Sequence, residues 1–296
     1  MDQAHKKSLY ADSALLLTQA IWGFGFIIVK ASLYIIHPVV LLGIEFSLSA
    51  IILGVYLFIA KKSLFKNFKQ GLILGLILWI GYMLHIFGLS MISATNAAFI
   101  TSLSIVLVPV AGYLFFKKKI GLQSGIAILV AFIGVWVLTG GIHGFGLGDL
   151  LTLLTALFVA LHILYTDKYA NQDINPFVLN FQQLSVVGIL SLCAMAIFRF
   201  PINIGHASVI WTIIYLCLFA DTFAYIAQTI SQKYTTPLRV ALIFSLEPVF
   251  TAVFAWLLHS EAFTLATILG GAFVVVGLII SEVPLLKFLK LGKQRI

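Results

Sequence analysis

Long apolar runs alternate with short polar breaks from one end of the chain to the other. Ten such runs can be counted, over 13–29, 38–60, 70–92, 95–116, 121–138, 148–166, 176–198, 208–231, 237–258 and 264–283. A bilayer core about 30 Å thick needs about 20 apolar residues per helix, so each run is read as a membrane span. Several breaks have a chemical cause. Pro38, Pro176 and Pro237 stand at run starts, where a missing N–H costs a helix little. The stretch TGGIHGFGLGD, from Thr139 to Asp149, is too rich in glycine to remain helical. The first run lacks an A-x-A cleavage site and reads as a retained span rather than a signal peptide.

Composition agrees with this pattern. Of 296 residues, 61% are hydrophobic and 9% charged, against about 25% charged in soluble domains. The mean hydropathy is +1.11. A net charge of +8 would point to nucleic acid in a soluble protein, but here the bases cluster between apolar runs. Nucleic acid is therefore excluded as a partner, and the lipid bilayer takes its place. Sixteen of the 18 lysines and arginines fall on one side of a ten-span topology, with only Lys30 and Arg199 on the other. The positive-inside rule then puts both termini in the cytoplasm. The expected localisation is a bacterial-type inner membrane.

The halves of the chain resemble each other. AFITSL (98–103) lies over ALIFSL (241–246) at an offset of 143 residues. The same offset carries Tyr82 onto Tyr225, Ser104 onto Glu247 and Gly134 onto Gly277. An offset of 138 lays HPVVLLGIEFSLS (37–49) over NPFVLNFQQLSVV (175–187), matching Glu45 with Gln183. Each half then holds five spans. Five is odd, so the second half is inverted, an arrangement common in secondary transporters with a midplane site. The expected fold class is an all-α membrane protein of ten transmembrane helices. Its two inverted repeats would cover 13–138 and 148–283, with cytoplasmic tails at 1–12 and 284–296.

Charges within the spans call for an explanation, since one at the bilayer centre costs about 2.5–3.5 kcal/mol on insertion scales. The candidates are Glu45, His85, His162, Asp221 and Glu247, with neutral Gln19, Asn96, Gln183 and Gln228. Asp221, Tyr225 and Gln228 recur at i, i+4 and i+7, which makes one helical stripe. Tyr82 and His85 share a face, as do Gln19 and Trp22. Thr152, Thr155, His162 and Thr166 form a further stripe. In lipid such stripes point inward. They predict one midplane pocket lined by the first, third, fourth, sixth, eighth and ninth spans. The glutamines and threonines also serve as interhelical hydrogen-bond glue in many bundles. The histidines and aromatic rings could equally be packed core. A buried carboxyl has no cheap structural role, and protonation is its usual escape in apolar surroundings. Glu247 and Asp221 are thus the leading proton or solute ligands. Glu45, nearer the outer surface, could instead be hydrated. Pro248 would free the Phe244 carbonyl one turn back and kink the ninth span.

A family resemblance rests on four segments. They are WGFGFIIVK (22–30), HPVVLLGIEF (37–46), AAFITSLSIVLVPVAGYLFFKKKIGLQSGIAILVAFIGVWVL (97–138) and QTISQKYTTPLRVALIFSLEPVFTAVFAWLLHSEAFTLATILGGAFVVVGLII (228–280). The chain resembles EamA-type members of the drug/metabolite transporter superfamily over nearly its whole length. The resemblance implies ten helices in two inverted repeats, a central cavity and alternating access for small metabolites. Glu45 stands where the family often has a basic residue, and lysines 117–119 stand opposite the acidic Glu261 region. The first departure weakens any inherited preference for substrate charge.

Motifs of other classes are missing from the sequence. There is no G-x-x-x-x-G-K-[ST] of an ATP-driven pump, no H-E-x-x-H or Cys/His cluster, and no G-x-S-x-G. Neither an enzyme nor a cofactor is expected. The reading is a secondary transporter of small organic solutes such as amino acids, exporting by alternating access with proton coupling, as a monomer or homodimer. A receptor or scaffold that moves no solute is the alternative.

Overall fold

A computed structural model describes residues 3–117, 121–141, 144–170, 172, 174–234, 243–244, 246–258, 260–262 and 264–282. Every regular element among them is helical. In chain order these are α1 (Gln3–Ser32), α2 (Pro38–Ile59), α3 (Phe68–Met91), α4 (Ala94–Ser102), α5 (Ser104–Phe116), α6 (Leu122–Leu138), α7 (Leu147–Ala170) and α8 (Pro176–Phe198). Then follow α9 (Ala207–Tyr215), a π-helical segment (Leu216–Phe223), α10 (Ala224–Ser231), α11 (Glu247–Leu257) and α12 (Leu265–Glu282). Among the described residues seven stretches are long and apolar enough to cross a bilayer, and α6, α11 and the apolar part of α12 are shorter.

Four differences from the sequence reading are physical. The first helix begins at Gln3, so it absorbs most of the stretch read as a tail. The fourth run is divided between α4 and α5 at Leu103. The eighth carries a π-helical turn that no residue pattern announces. Pro248 lies in the first turn of α11, so the break in the ninth run falls before it, at Leu246. The expectations for Pro237, Arg239, Lys118, Lys119 and the basic residues beyond 283 fall outside the described residues.

Two helix starts show why proline marks them. Before Pro38, the His37 ring nitrogen Nδ1 accepts the Val39 N–H at 3.3 Å. Before Pro176, Asn175 Oδ1 accepts from Phe177 N at 2.9 Å and Val178 N at 3.4 Å. In both, a side chain satisfies N–H groups that the helix cannot. At the other end of a span, Gly140 and Gly141 adopt φ of +78° and +76°, which stops α6.

Packing is helix on helix throughout. The α2 helix lies along α8, and α6 along α12. The latter pair is brought close by small residues: a Cβ at Gly134 would sit 2.6 Å from Val274 N and 2.8 Å from Gly270 O. The α3 helix packs on α7 and α8, while α1 packs on α10 and α11. Both α4 and α5 pack on α7, and α2 meets the π-helical segment. These contacts leave α1, α3, α4, α5, α7, α10 and α11 around a central space.

Candidate functional site

The central space is a cavity of about 150 Å³. Trp22, Tyr82, His85, His162, Asp221, Tyr225, Gln228 and Glu247 all line it, as the aligned stripes require. Glu45 lines it too. Of the two alternatives for Glu45, the hydrated one does not fit, because the residue is only 3% exposed. Its neighbours on α2 and the π-helical segment enclose it.

The π-helical segment shapes one wall. A π-turn carries i→i+5 bonds and disturbs the regular ladder. Trp22 Nε1 donates to the Ala220 carbonyl within it at 2.9 Å, so α1 is fastened to the segment that carries Asp221. Asp221 is 2% exposed. Its Oδ2 lies 3.0 Å from Ser49 Oγ. The same hydroxyl is 2.7 Å from the Glu45 carbonyl and 3.3 Å from the Cys217 carbonyl. Ser49 has one hydrogen to give among these acceptors and lone pairs to receive one from a protonated Asp221. It therefore links Asp221 to the turn of α2 that bears Glu45. Oε2 of Glu45 has no hydrogen-bond partner.

Two kinks form the facing wall, and their hydrogen bonds match. Leu103 N donates to Ile100 O at 3.1 Å, and Leu107 N to Leu103 O at 2.8 Å. Leu246 N donates to Ile243 O at 3.1 Å, and Phe250 N to Leu246 O at 2.9 Å. Each first bond is the tight i→i−3 type that ends one helical stretch before the next begins. Ser104 opens α5 and Glu247 opens α11, and both line the cavity. Glu247 occupies the first turn of a helix, where the dipole favours a negative group. Gly23 of α1 lets that turn approach: a Cβ there would lie 3.1 Å from Glu247 O and 2.9 Å from Phe250 Cβ.

Aromatic rings close the remaining sides. Trp22 meets Tyr225 at 5.6 Å and Phe244 at 6.1 Å between centroids. Phe26 meets the His85 ring edge-on at 4.9 Å. The Tyr225 hydroxyl donates to the Tyr82 hydroxyl at 2.9 Å. His162 Nε2 is 2.9 Å from Gln183 Oε1. The orientation of Gln183 follows from its neighbours. Asn180 Nδ2 donates to Pro176 O and Thr229 Oγ1, which leaves Asn180 Oδ1 to accept from Gln183 Nε2 at 2.6 Å. Gln183 Oε1 is then the acceptor, and His162 donates from Nε2.

Thr152 and Thr166 of the threonine stripe do not line the cavity, and neither do three of the candidate site residues. Gln183 stands behind His162 as its hydrogen-bond partner. Gln19 is fully buried, with Nε2 on Thr18 Oγ1 at 3.0 Å and Oε1 unpaired. Asn96 lies apart, beside Glu261 in a separate polar pocket. There the Glu261 carboxylate accepts the N–H groups of Ala94 and Thr95 at the start of α4. Asn96 itself donates its backbone N–H to Ser93 Oγ. Sequence reasoning missed Ser49, Thr101 and Ser102. Ser49 was within reach, since it stands one turn from Glu45 on the same face.

Among the described residues that line the cavity there are three carboxyls and no lysine or arginine. The arrangement can hold protons or cations against an aromatic wall.

Comparison with known proteins agrees with this architecture. The model of the EamA-like transporter family matches residues 9–140 and again 146–282. An uncharacterized transporter of Archaeoglobus fulgidus is 33% identical over 277 residues, covering 93% of this chain and 86% of that protein. The uncharacterized transporter YoaV of Bacillus subtilis is 22% identical over 270 residues, 87% of this chain and 91% of its own. A solved crystal structure superposes with a TM-score of 0.67 at 17% identity, over 91% of this chain and 96% of its own, and so shares the fold. Two matches to one family model, together spanning nearly the whole chain, and a relative similar from end to end identify this multi-pass membrane protein as a member of the EamA-like transporter family, within the drug/metabolite transporter superfamily.

Proposed function

We propose that this protein is a secondary transporter that exports small organic solutes, amino acids and their derivatives among them, by alternating access coupled to protons. The observation that carries the reading is the cavity itself. Three carboxyls and two histidines meet aromatic rings inside a helix bundle whose outer surface is apolar. Intramembrane ionisable groups of this kind mark substrate and proton paths. Glu247 is the leading coupling group, with Asp221 next.

The mechanism needs two halves that rock about a shared centre, and three observations support ten spans in two inverted repeats. The kink hydrogen bonds at Leu103 and Leu246 are related by the 143-residue offset, as are their neighbours at Leu107 and Phe250. Tyr82 and Tyr225, matched by that offset, bond to each other as residues near a two-fold axis would. The packing pairs also survive exchange of the first five spans for the last five. In that exchange α3 on α7 becomes α10 on α1, and α1 on α11 becomes α7 on α4 and α5. In such a scheme a solute entering from the cytoplasm displaces protons from the carboxyls. Rocking of the repeats then exposes the loaded cavity outward. Both termini lie in the cytoplasm of an inner membrane by the charge asymmetry.

Two measurements test this. Reconstituted protein should move one or more members of a metabolite panel in proteoliposomes, faster when a pH gradient is imposed. Flux that is nil across the panel, or indifferent to the gradient, counts against the coupled reading. Single cysteines at Gly144 and Lys61 should be labelled from opposite faces of the membrane, and labelling of both from one face would refute the topology.

A further inference from the structure

We infer that Glu45 and Asp221, joined through Ser49, form the cation end of the cavity, and that the solute taken there is an organic amine carrying a single aromatic ring. The inference rests on the central cavity being the solute site.

The argument begins with charge. An ionised carboxylate in low dielectric needs a counter-charge or a proton. No lysine or arginine is among the described cavity-lining residues. His85 does not substitute. His85 Nδ1 is buried without a hydrogen-bond partner, so a charged ring would bury an unpaired donor. The charge that balances these acids must therefore enter from outside, as a proton or as a cationic solute.

Placement within the cavity comes next. Asp221 Oδ2 is already held by Ser49, while Glu45 lines the cavity and its buried Oε2 has no hydrogen-bond partner. An ammonium has three donors. It would satisfy that orphaned oxygen and share the Asp221 carboxylate, with Ser49 donating to the acid or receiving from it as the charge requires. Trp22 and Tyr225, aromatic rings of the kind that attract cations, line the same cavity. The free volume of about 150 Å³ is the size of cavity that accepts one benzene-sized group. Glu247 enters the cavity from the other wall and stays available to carry a proton while the amine is bound.

The test uses the full chain in lipid nanodiscs and four probes that share one ring and differ in charge: phenethylamine, phenylalanine, hydrocinnamate and phenethyl alcohol. Calorimetric titration at neutral pH should show phenethylamine binding about tenfold or more tighter than phenethyl alcohol, since a hydrogen bond to a charged group is worth at least that factor. Hydrocinnamate should bind worst. Glu45→Gln and Asp221→Asn should each remove the preference for the amine while leaving phenethyl alcohol binding intact, which also reports that the variants are folded. Ser49→Ala keeps both acids and should weaken the amine by a smaller factor. It serves as the readout if either acid variant fails to fold. Tighter binding of phenylalanine or hydrocinnamate overturns the inference, as does amine binding that survives both acid substitutions or no binding by any probe. Flux of the same probes in proteoliposomes separates the two ideas. Amine that binds but is not moved leaves the site standing and removes the transport reading. Hydrocinnamate or phenylalanine moved while the amine neither binds nor moves leaves transport standing and removes the amine.

Discussion

The two kinked walls of the cavity have the same backbone and different chemistry. At Leu103 and at Leu246 a tight turn closes with the same pair of hydrogen bonds, and a new helix begins one residue later. In the first half that residue is Ser104, and in the second it is Glu247. The backbone device therefore belongs to the scaffold, because it works with or without a charge. The scaffold does not need the carboxyl, and that is the ground for proposing a coupling role for it. Two otherwise similar cap sites differ in the same way. His37 and Asn175 both cap a helix that opens with proline, yet only the first can be switched off by a proton.

The largest effect expected from breaking this comparison is on coupling. Glu247→Ser makes the second kink a copy of the first and should lower pH-gradient-driven flux about tenfold or more, a loss on the order of 1.4 kcal/mol of driving interaction. Adding Ser104→Glu to that variant returns a carboxyl at the equivalent turn and should restore part of the flux. A folded double variant with no recovery would show that the two kinks are not interchangeable.

Next in size is the contact that supports the charged kink. Gly23→Val puts side-chain atoms where a Cβ alone already crowds Phe250 Cβ and Thr251 N. It should cost about 1–3 kcal/mol by overpacking, read as a fall in thermal midpoint. An unchanged midpoint would mean that α1 does not bear on α11 there.

A smaller effect separates the two caps. Burial lowers the pKa of His37 from its ordinary value, and its ring stacks on Phe200 at 3.8 Å. The neutral ring is the form that accepts from Val39 N. Above the ordinary histidine range of about 6.5, folded and unfolded chains are both neutral at this position and stability does not change. As pH falls through that range the unfolded chain takes up a proton that the folded cap resists, so stability declines. His37→Asn, which copies the other cap, should abolish this decline while keeping the helix start. Equal acid sensitivity in both proteins would contradict the assignment. Smallest of all is Tyr225→Phe. It removes the bond between the two matched tyrosines and should cost about 0.6 kcal/mol, the average for an interhelical hydrogen bond in lipid.

Much of this architecture was legible in the sequence because lipid imposes a strict rule: apolar outside, polar inward. The stripes of Asp221, Tyr225 and Gln228 and of Tyr82 and His85 predicted a common cavity on helical periodicity alone. Sequence reading left Glu45 open between a site residue and a hydrated one, since depth along a span does not reveal which helices cover it. The eight-residue π-helical segment was invisible because its bonding pattern has no residue code. Asn96 and Gln19 sit away from the cavity, at a helix start and within α1, a placement that residue type alone does not reveal. Pro248 was recognised as a breaker. Only the structure shows that the helix starts there, with Glu247 in its first turn.

The central claim is that a titratable carboxyl at the second kink couples solute movement to protons. The most direct measurement compares wild type with Glu247→Gln in proteoliposomes, under an imposed pH gradient and in solute exchange without one, from about pH 5.5 to 8, a window around the ordinary carboxyl and histidine ranges. The glutamine keeps the shape and hydrogen-bonding capacity but cannot titrate. The account predicts that the variant inserts and folds normally, retains exchange, and loses gradient-driven transport across the whole window. Gradient-driven transport at the wild-type rate in the variant would contradict it and pass the coupling role to Asp221.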